Sequence, residues 1–151
     1  MTLDEARAAL ETLGPLAPRA HGELALDLAS GLGFSVGFGA AGPTCDRVNA
    51  IEVWRPLEGD VVRYLDVDVF ALPALEVVAR LRRHIDLLKN DDDGFTSPEL
   101  CLSLWRPFAA DDDPDETQGY FFQSVLVARP GYYDTPAEAA ARQAAGGRSG
   151  F

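Results

Sequence analysis

The chain predicts an α+β fold: two helix-plus-β-hairpin repeats forming one antiparallel sheet, with the helices on one face. Three observations carry that prediction. Large apolar residues repeatedly alternate with small or polar ones, the two-residue period of strands buried on one side. Two further stretches place apolar residues at helical spacing. The second half also echoes the first: Leu32–Phe38 (LGFSVGF) is matched 68 residues on by Leu100–Arg106 (LCLSLWR), and Asn49–Pro56 (NAIEVWRP) 74 residues on by Gln123–Pro130 (QSVLVARP). The two helical stretches are offset by about 69 residues, so three offsets agree on a weak duplication of about residues 2–58 and 61–130.

Thr2 and Glu5 form a capping-box pattern, and Leu3, Ala6, Leu10 and Leu13 follow at helical spacing until Gly14 and Pro15, predicting helix 1 over 3–13. A Pro- and Gly-containing linker leads to a strand with Leu24, Leu26 and Leu28 on one face. The next strand sends Phe34, Val36 and Phe38 one way and Gly33, Ser35 and Gly37 the other. After the loop at 39–44, a strand over 48–55 alternates Ile51 and Val53 with Ala50, Glu52 and Trp54, completing a hairpin. A fourth alternation over 61–70 sets Leu65, Val67 and Val69 against Tyr64, Asp66 and Asp68.

Pro73 opens helix 2, whose stripe is Leu75, Val78, Leu81 and Ile85 and which ends near His84. Asn90–Gly94 is a turn, and 95–104 returns as one or two strands. Residues 108–119, with five acids and no base, predict a solvated, mobile loop before a last strand over 120–129. One domain over 1–134 is expected, followed by a marginal alanine-rich helix and a disordered tail over 135–151.

Charge and motif content narrow the function classes. A net charge of −11, most of it between residues 86 and 119, opposes direct nucleic-acid binding, which depends on basic groups displacing counterions. No run approaches the roughly 18 apolar residues of a membrane span, and Asp4 and Glu5 stand where a secretory signal carries basic residues, so a cytoplasmic protein is expected. Cys45 and Cys101 lack the context of a zinc ribbon or disulfide framework.

His21 and His84 have no nucleophile in a recognisable setting, and no GxSxG, GxGxxG or Walker pattern occurs. The runs NDDDG and DDDPDE invite a calcium reading. An EF-hand with Gly94 at its sixth position, however, would place Lys89 and Leu100 where acids belong. No catalytic residue, metal site or cofactor is therefore predicted.

The strongest signal is collective. If the aliphatic series faces the helices, then Trp54, Trp105, Tyr64, Tyr120, Phe122 and Leu126 share the other face with Glu52, Asp66, Asp68 and Ser103. A face with only water beyond it should be polar, whereas aromatic patches mark contact surfaces.

Two helix-then-hairpin units with an aromatic sheet face resemble the fold of the β-lactamase-inhibitor proteins and the SmpA/OmlA-type modules. The strings YLDVDVF, LCLSLWRP and VLVARPGYY are similar in style to small uncharacterised actinobacterial proteins, which implies no function. The inhibitor resemblance implies a non-enzymatic protein-binding module, of inhibitor or immunity type, offering its sheet face and acidic rim to a basic partner. The alternatives are a small metal-dependent or acid/base enzyme using Asp66, Asp68 and Glu52, and a structural homodimer closed through the same face.

Overall fold

The computed structural model describes residues 1–17, 23–39, 45–132, 137 and 141. It is an α+β fold built on a seven-stranded antiparallel sheet of order β1-β2-β3-β9-β8-β7-β6. The strands are β1 (Glu23–Asp27), β2 (Gly33–Phe38), β3 (Val48–Trp54), β6 (Leu88–Lys89), β7 (Phe95–Ser97), β8 (Leu102–Trp105) and β9 (Ser124–Ala128). A two-stranded hairpin, β4 (Arg63–Tyr64) and β5 (Val67–Asp68), stands apart from this sheet.

Helix α1 spans Leu3–Glu11. Its capping box is complete: the Glu5 amide donates to Thr2 Oγ1 at 3.3 Å and the Thr2 amide to Glu5 Oε2 at 2.8 Å, satisfying donors that the first turn leaves open. The bond from the Thr2 amide holds the Glu5 carboxyl below its usual pKa. Helix α2, Ala74–Leu81, starts after Pro73 and buries Ala74, Val77, Val78 and Leu81.

Both helices lie against the face carrying Leu24, Leu26, Val36, Leu102, Leu104 and Val125, as the alternation predicts. Under α1 the core gathers Ala6, Leu10, Leu26, Val36, Phe38 and Val48; under α2 it gathers Val77, Leu81, Phe95, Leu102, Leu104 and Phe122. Each such large side chain contributes roughly 1.5–3 kcal/mol on burial, so the helical face holds the fold together.

The chain departs from simple helix-plus-hairpin units. The first half supplies three strands to the sheet; the second supplies four, together with a short helix α3 (Thr117–Tyr120). The strand expected over 61–70 is instead a tight hairpin, because the chain reverses at Leu65 and Asp66. Both residues have positive φ, 49° and 61°, as a two-residue type I′ turn demands. The last strand begins only at Ser124, since Tyr120 belongs to α3. The predicted linker histidine His21, the loop at 40–44 and nearly all of the predicted C-terminal segment lie outside the described residues.

The acidic loop is tied down. Arg106, only 1% exposed, donates through Nε to the Asp93 carbonyl at 3.1 Å, and through one terminal nitrogen to Gly119 O at 2.7 Å and Asp111 Oδ1 at 2.6 Å. Its guanidinium carbon lies 5.8 Å from the centroid of the Phe122 ring. A buried cation satisfied this way fixes both ends of the 107–119 segment to the core, in place of the mobile loop expected there.

Candidate functional site

The sheet face opposite the helices can be followed in rows, because antiparallel register sets partners side by side. One row runs Asp27, Gly33, Trp54, Ser124, Trp105. The next runs Ala25, Ser35, Glu52, Leu126, Ser103, Thr96, Leu88. Among the described strand residues of this face, the charged groups are Glu23, Asp27 and Glu52, all acidic.

Trp54 and Trp105 both pair with Ser124, one from each side. Strands two apart are separated by roughly 10 Å, yet the indole centroids lie 6.1 Å apart at an interplanar angle of 78°. The rings therefore lean together over the small serine, which they help to bury to 1% exposure. Gly33 makes room on the other side, since a Cβ there would lie 3.5 Å from the Trp54 Cβ and Cδ1 and 3.0 Å from Asp27 Oδ1. The indoles stay 40% and 37% exposed, forming an aromatic ridge on this face.

Beside the ridge is a shallow notch of about 310 Å³. It exists because β3 carries a bulge: Gly37 pairs with Ala50 but Phe38 pairs with Val48, which leaves Asn49 as the extra residue. The Asn49 side-chain oxygen lies 3.0 Å from the point a Gly37 Cβ would occupy, so glycine is what admits it. Glu23 and Glu52 stand on the walls, and the Ser35 hydroxyl donates to Glu23 Oε1.

The face thus brings together Trp54, Trp105, Leu126, Glu52 and Ser103 from the predicted set. Ser103 makes a 3.3 Å hydroxyl contact to Thr96, whose Oγ1 accepts from Asn90 Nδ2 at 2.9 Å. The other predicted residues lie elsewhere. Tyr64, Asp66 and Asp68 sit on the separate β4/β5 hairpin, and Asp68 Oδ1 is already taken by the amides of Phe70 at 3.2 Å and Ala71 at 3.0 Å. Tyr120 packs edge-on to Phe121, with centroids 4.9 Å apart, at the end of α3. Phe122 is fully buried against Phe95, because the backbone leaving α3 turns it into the core before the alternation of β9 begins.

Residues missed by the sequence reading include Glu23, one step before Leu24 in the same alternation, and Asn49, for which a bulge leaves no local signal. Arg55, next to Trp54, takes the opposite side. It stacks 4.4 Å from the Phe121 centroid and donates to Phe70 O at 3.3 Å, and burial lowers its pKa from the usual value.

Asp92 and Asp93 belong to a turn, in which Asp92 Oδ1 accepts the Gly94 amide at 3.1 Å and Asp93 pairs with Lys89 at 3.5 Å. Among the described residues no group of three or more His, Cys, Asp or Glu is placed to hold a metal, and no helix is long and apolar enough to cross a membrane. Cys101 is buried and Cys45 exposed, and they are not bonded to each other. The protein is thus an α+β fold that carries two partly exposed tryptophans on the sheet face opposite its helices. No family model, curated protein or solved structure matches the chain.

Proposed function

We propose that the protein is a non-enzymatic binding module, of inhibitor or immunity type, whose open sheet face docks a basic protein partner. The observation that carries this reading is the exposed Trp54–Trp105 ridge standing among acids on a face with no basic residue among its described strand residues. Aromatic side chains already held in place are the usual centres of binding energy, because little entropy is lost when they are covered.

Charge complementarity selects the occupant. A second copy related by a two-fold axis would set Glu23, Asp27 and Glu52 against the same acids, which disfavours the homodimer. The binding reading is preferred to an acid/base site of Asp66, Asp68 and Glu52 because the two aspartates belong to a different sheet from Glu52.

The test is photo-cross-linking in the native host with a benzophenone amino acid at position 105, followed by reconstitution with the purified captured protein. The expected result is a basic partner whose affinity falls by about 2 kcal/mol, roughly thirtyfold, in Trp54→Ala, and weakens with rising salt. Capture of a second copy of this chain alone, or yields no higher than those from a probe at exposed Leu75 on α2, would overturn it.

A further inference from the structure

Among the described residues, five that are not glycine have positive φ, and four of them have a reason in the fold or in their own chemistry. Asp46, Asp66 and Asp93 are aspartates, whose short polar side chains tolerate the left-handed region. Cys101, at φ 50°, is 4% exposed and packs with Ala50 and Ala128, so burial accounts for it. Leu65, at φ 49°, is the exception: it stays 48% exposed and belongs to none of the core clusters. We propose that Leu65 is a binding anchor, presented by the β4/β5 hairpin to an apolar pocket of a protein partner. The inference rests on the binding-module reading and not on the tryptophan ridge.

Leucine is a costly choice at this position. A two-residue type I′ turn favours asparagine, aspartate or glycine at its first central position, because any larger side chain there brings its Cβ against the following carbonyl. Strain of this kind persists only where another interaction offsets it. About half of the Leu65 surface is still open to solvent, so packing within the chain offsets little. Burial of the same surface against a partner supplies the compensation that the fold lacks.

The stem beneath the tip is fixed to the core. Val67 and Val69 are buried, Tyr64 packs against the same cluster, and the Val69 amide donates to Val62 O at 3.1 Å, continuing the ladder past Arg63 and Asp68. Asp68 Oδ1 holds the amides of Phe70 and Ala71 where the chain leaves the hairpin. A side chain carried on such a stem loses little freedom when it is covered. Size and charge select the occupant. The charged residues flanking the tip, Arg63 and Asp66, cancel, so shape and apolarity select the pocket, while the net charge of −11 favours a basic protein around it. One half-open leucine buries too little area to hold the chain on a bilayer, where even a single acyl chain binds only marginally.

The experiment places the benzophenone amino acid at position 65 of the full-length chain in the native host, with position 75 as a control, since Leu75 on α2 has matching exposure at 49%. The captured protein is then purified and titrated against the wild type, Leu65→Asn and Leu65→Met. The expected result is capture at 65, in higher yield than at 75, of a protein other than this chain. Because about half of the leucine surface remains to be covered, Leu65→Asn weakens binding about four- to tenfold, and it also raises the urea midpoint. Leu65→Met, which keeps an apolar side chain, stays within about twofold of wild type. A merely structural role would not move affinity and stability in opposite directions. Equal yields at 65 and 75, capture of a second copy alone, or unchanged affinity in Leu65→Asn would each overturn the anchor. Capture from position 105 with only background yield at 65 would overturn it too, while leaving the docking face in place.

Discussion

Asp111→Ala, Arg106→Met and their combination test whether one buried arginine organises the acidic loop. Removing one partner of a fully buried ion pair costs about 3–5 kcal/mol, because the other charge is left without compensation. Here the Asp111 side chain is 33% exposed and Arg106 1%, so part of the Coulombic gain is already screened by solvent. Arg106 also keeps the carbonyls of Asp93 and Gly119 when Asp111 is truncated. The expected cost of Asp111→Ala is therefore about 2 kcal/mol.

Arg106→Met preserves most of the buried volume but removes the bonds at 3.1, 2.7 and 2.6 Å. Gly119 O retains the Ala110 amide at 3.0 Å, so the main unsatisfied group is the Asp93 carbonyl, and a cost of about 2–3 kcal/mol is expected. Because both single changes destroy the same contact, the double variant should be about 1.5 kcal/mol less destabilised than their sum. Urea unfolding gives the four free energies, and amide exchange at Ala110 should accelerate in the same variants. Additivity within about 0.3 kcal/mol, with Ala110 exchange unchanged, would show that the pair does not pin the loop.

Three further expectations follow from other parts of the fold. Leu102→Ala and Val67→Ala, at 1% and 5% exposure, should cost about 3 and about 2 kcal/mol in the same urea assay; a neutral Leu102→Ala would invert the assigned core face, and a neutral Val67→Ala would remove the β4/β5 hairpin from the core under α2. Replacing Leu65-Asp66 by Asn-Gly should raise stability by about 1 kcal/mol, since both positions need positive φ, which leucine resists and aspartate tolerates less well than glycine; a loss would show that the exposed leucine has contacts worth more than the strain. The Glu5 carboxyl, lowered chiefly by the Thr2 amide, contributes stability that is fully present above its unfolded pKa and is lost as pH falls through the depressed folded value. The stability gap between wild type and Glu5→Gln should accordingly be constant near neutrality and close in acid, and a gap independent of pH down to full protonation would remove the charge from the account.

Much of this architecture is legible in the residue pattern because period-two alternation is a direct record of which face meets the core. Leu24 and Leu26, Phe34 and Val36, Ile51 and Val53, Leu102 and Leu104 all face the helices, which puts Trp54 and Trp105 on the opposite face. Alternation fails where the backbone stops being a strand without a compositional sign. YLDVDV holds no glycine or asparagine, so nothing local announces that the chain reverses at Leu65 and Asp66, and the expected row of Tyr64, Asp66 and Asp68 dissolves. Phe122 is misplaced for the same reason, its strand beginning two residues later. Arg106 is invisible to a hydrophobic pattern, because its burial depends on the Asp93 carbonyl and on the Gly119 carbonyl and Asp111 carboxylate that the folded 107–119 segment supplies. The notch likewise depends on the Asn49 bulge, which is a property of register and not of composition.

The position of β9 has a consequence for the order in which the protein is made. This strand lies between β3 and β8, so until it arrives the sheet exists as two fragments, β1–β3 and β6–β8, each with a raw inner edge of unpaired amides and carbonyls. On a ribosome adding about 5–20 residues per second, roughly 4–15 s separate synthesis of β3 from that of β9. Throughout that interval the inner edge of β3 offers a template for any extended chain nearby. The final strand acts as a closing stitch. A chain cut before Ser124 would lose five residues of ladder and expose two adhesive edges at once, while a β9 borrowed from a neighbour would produce an exchanged dimer in place of a monomer.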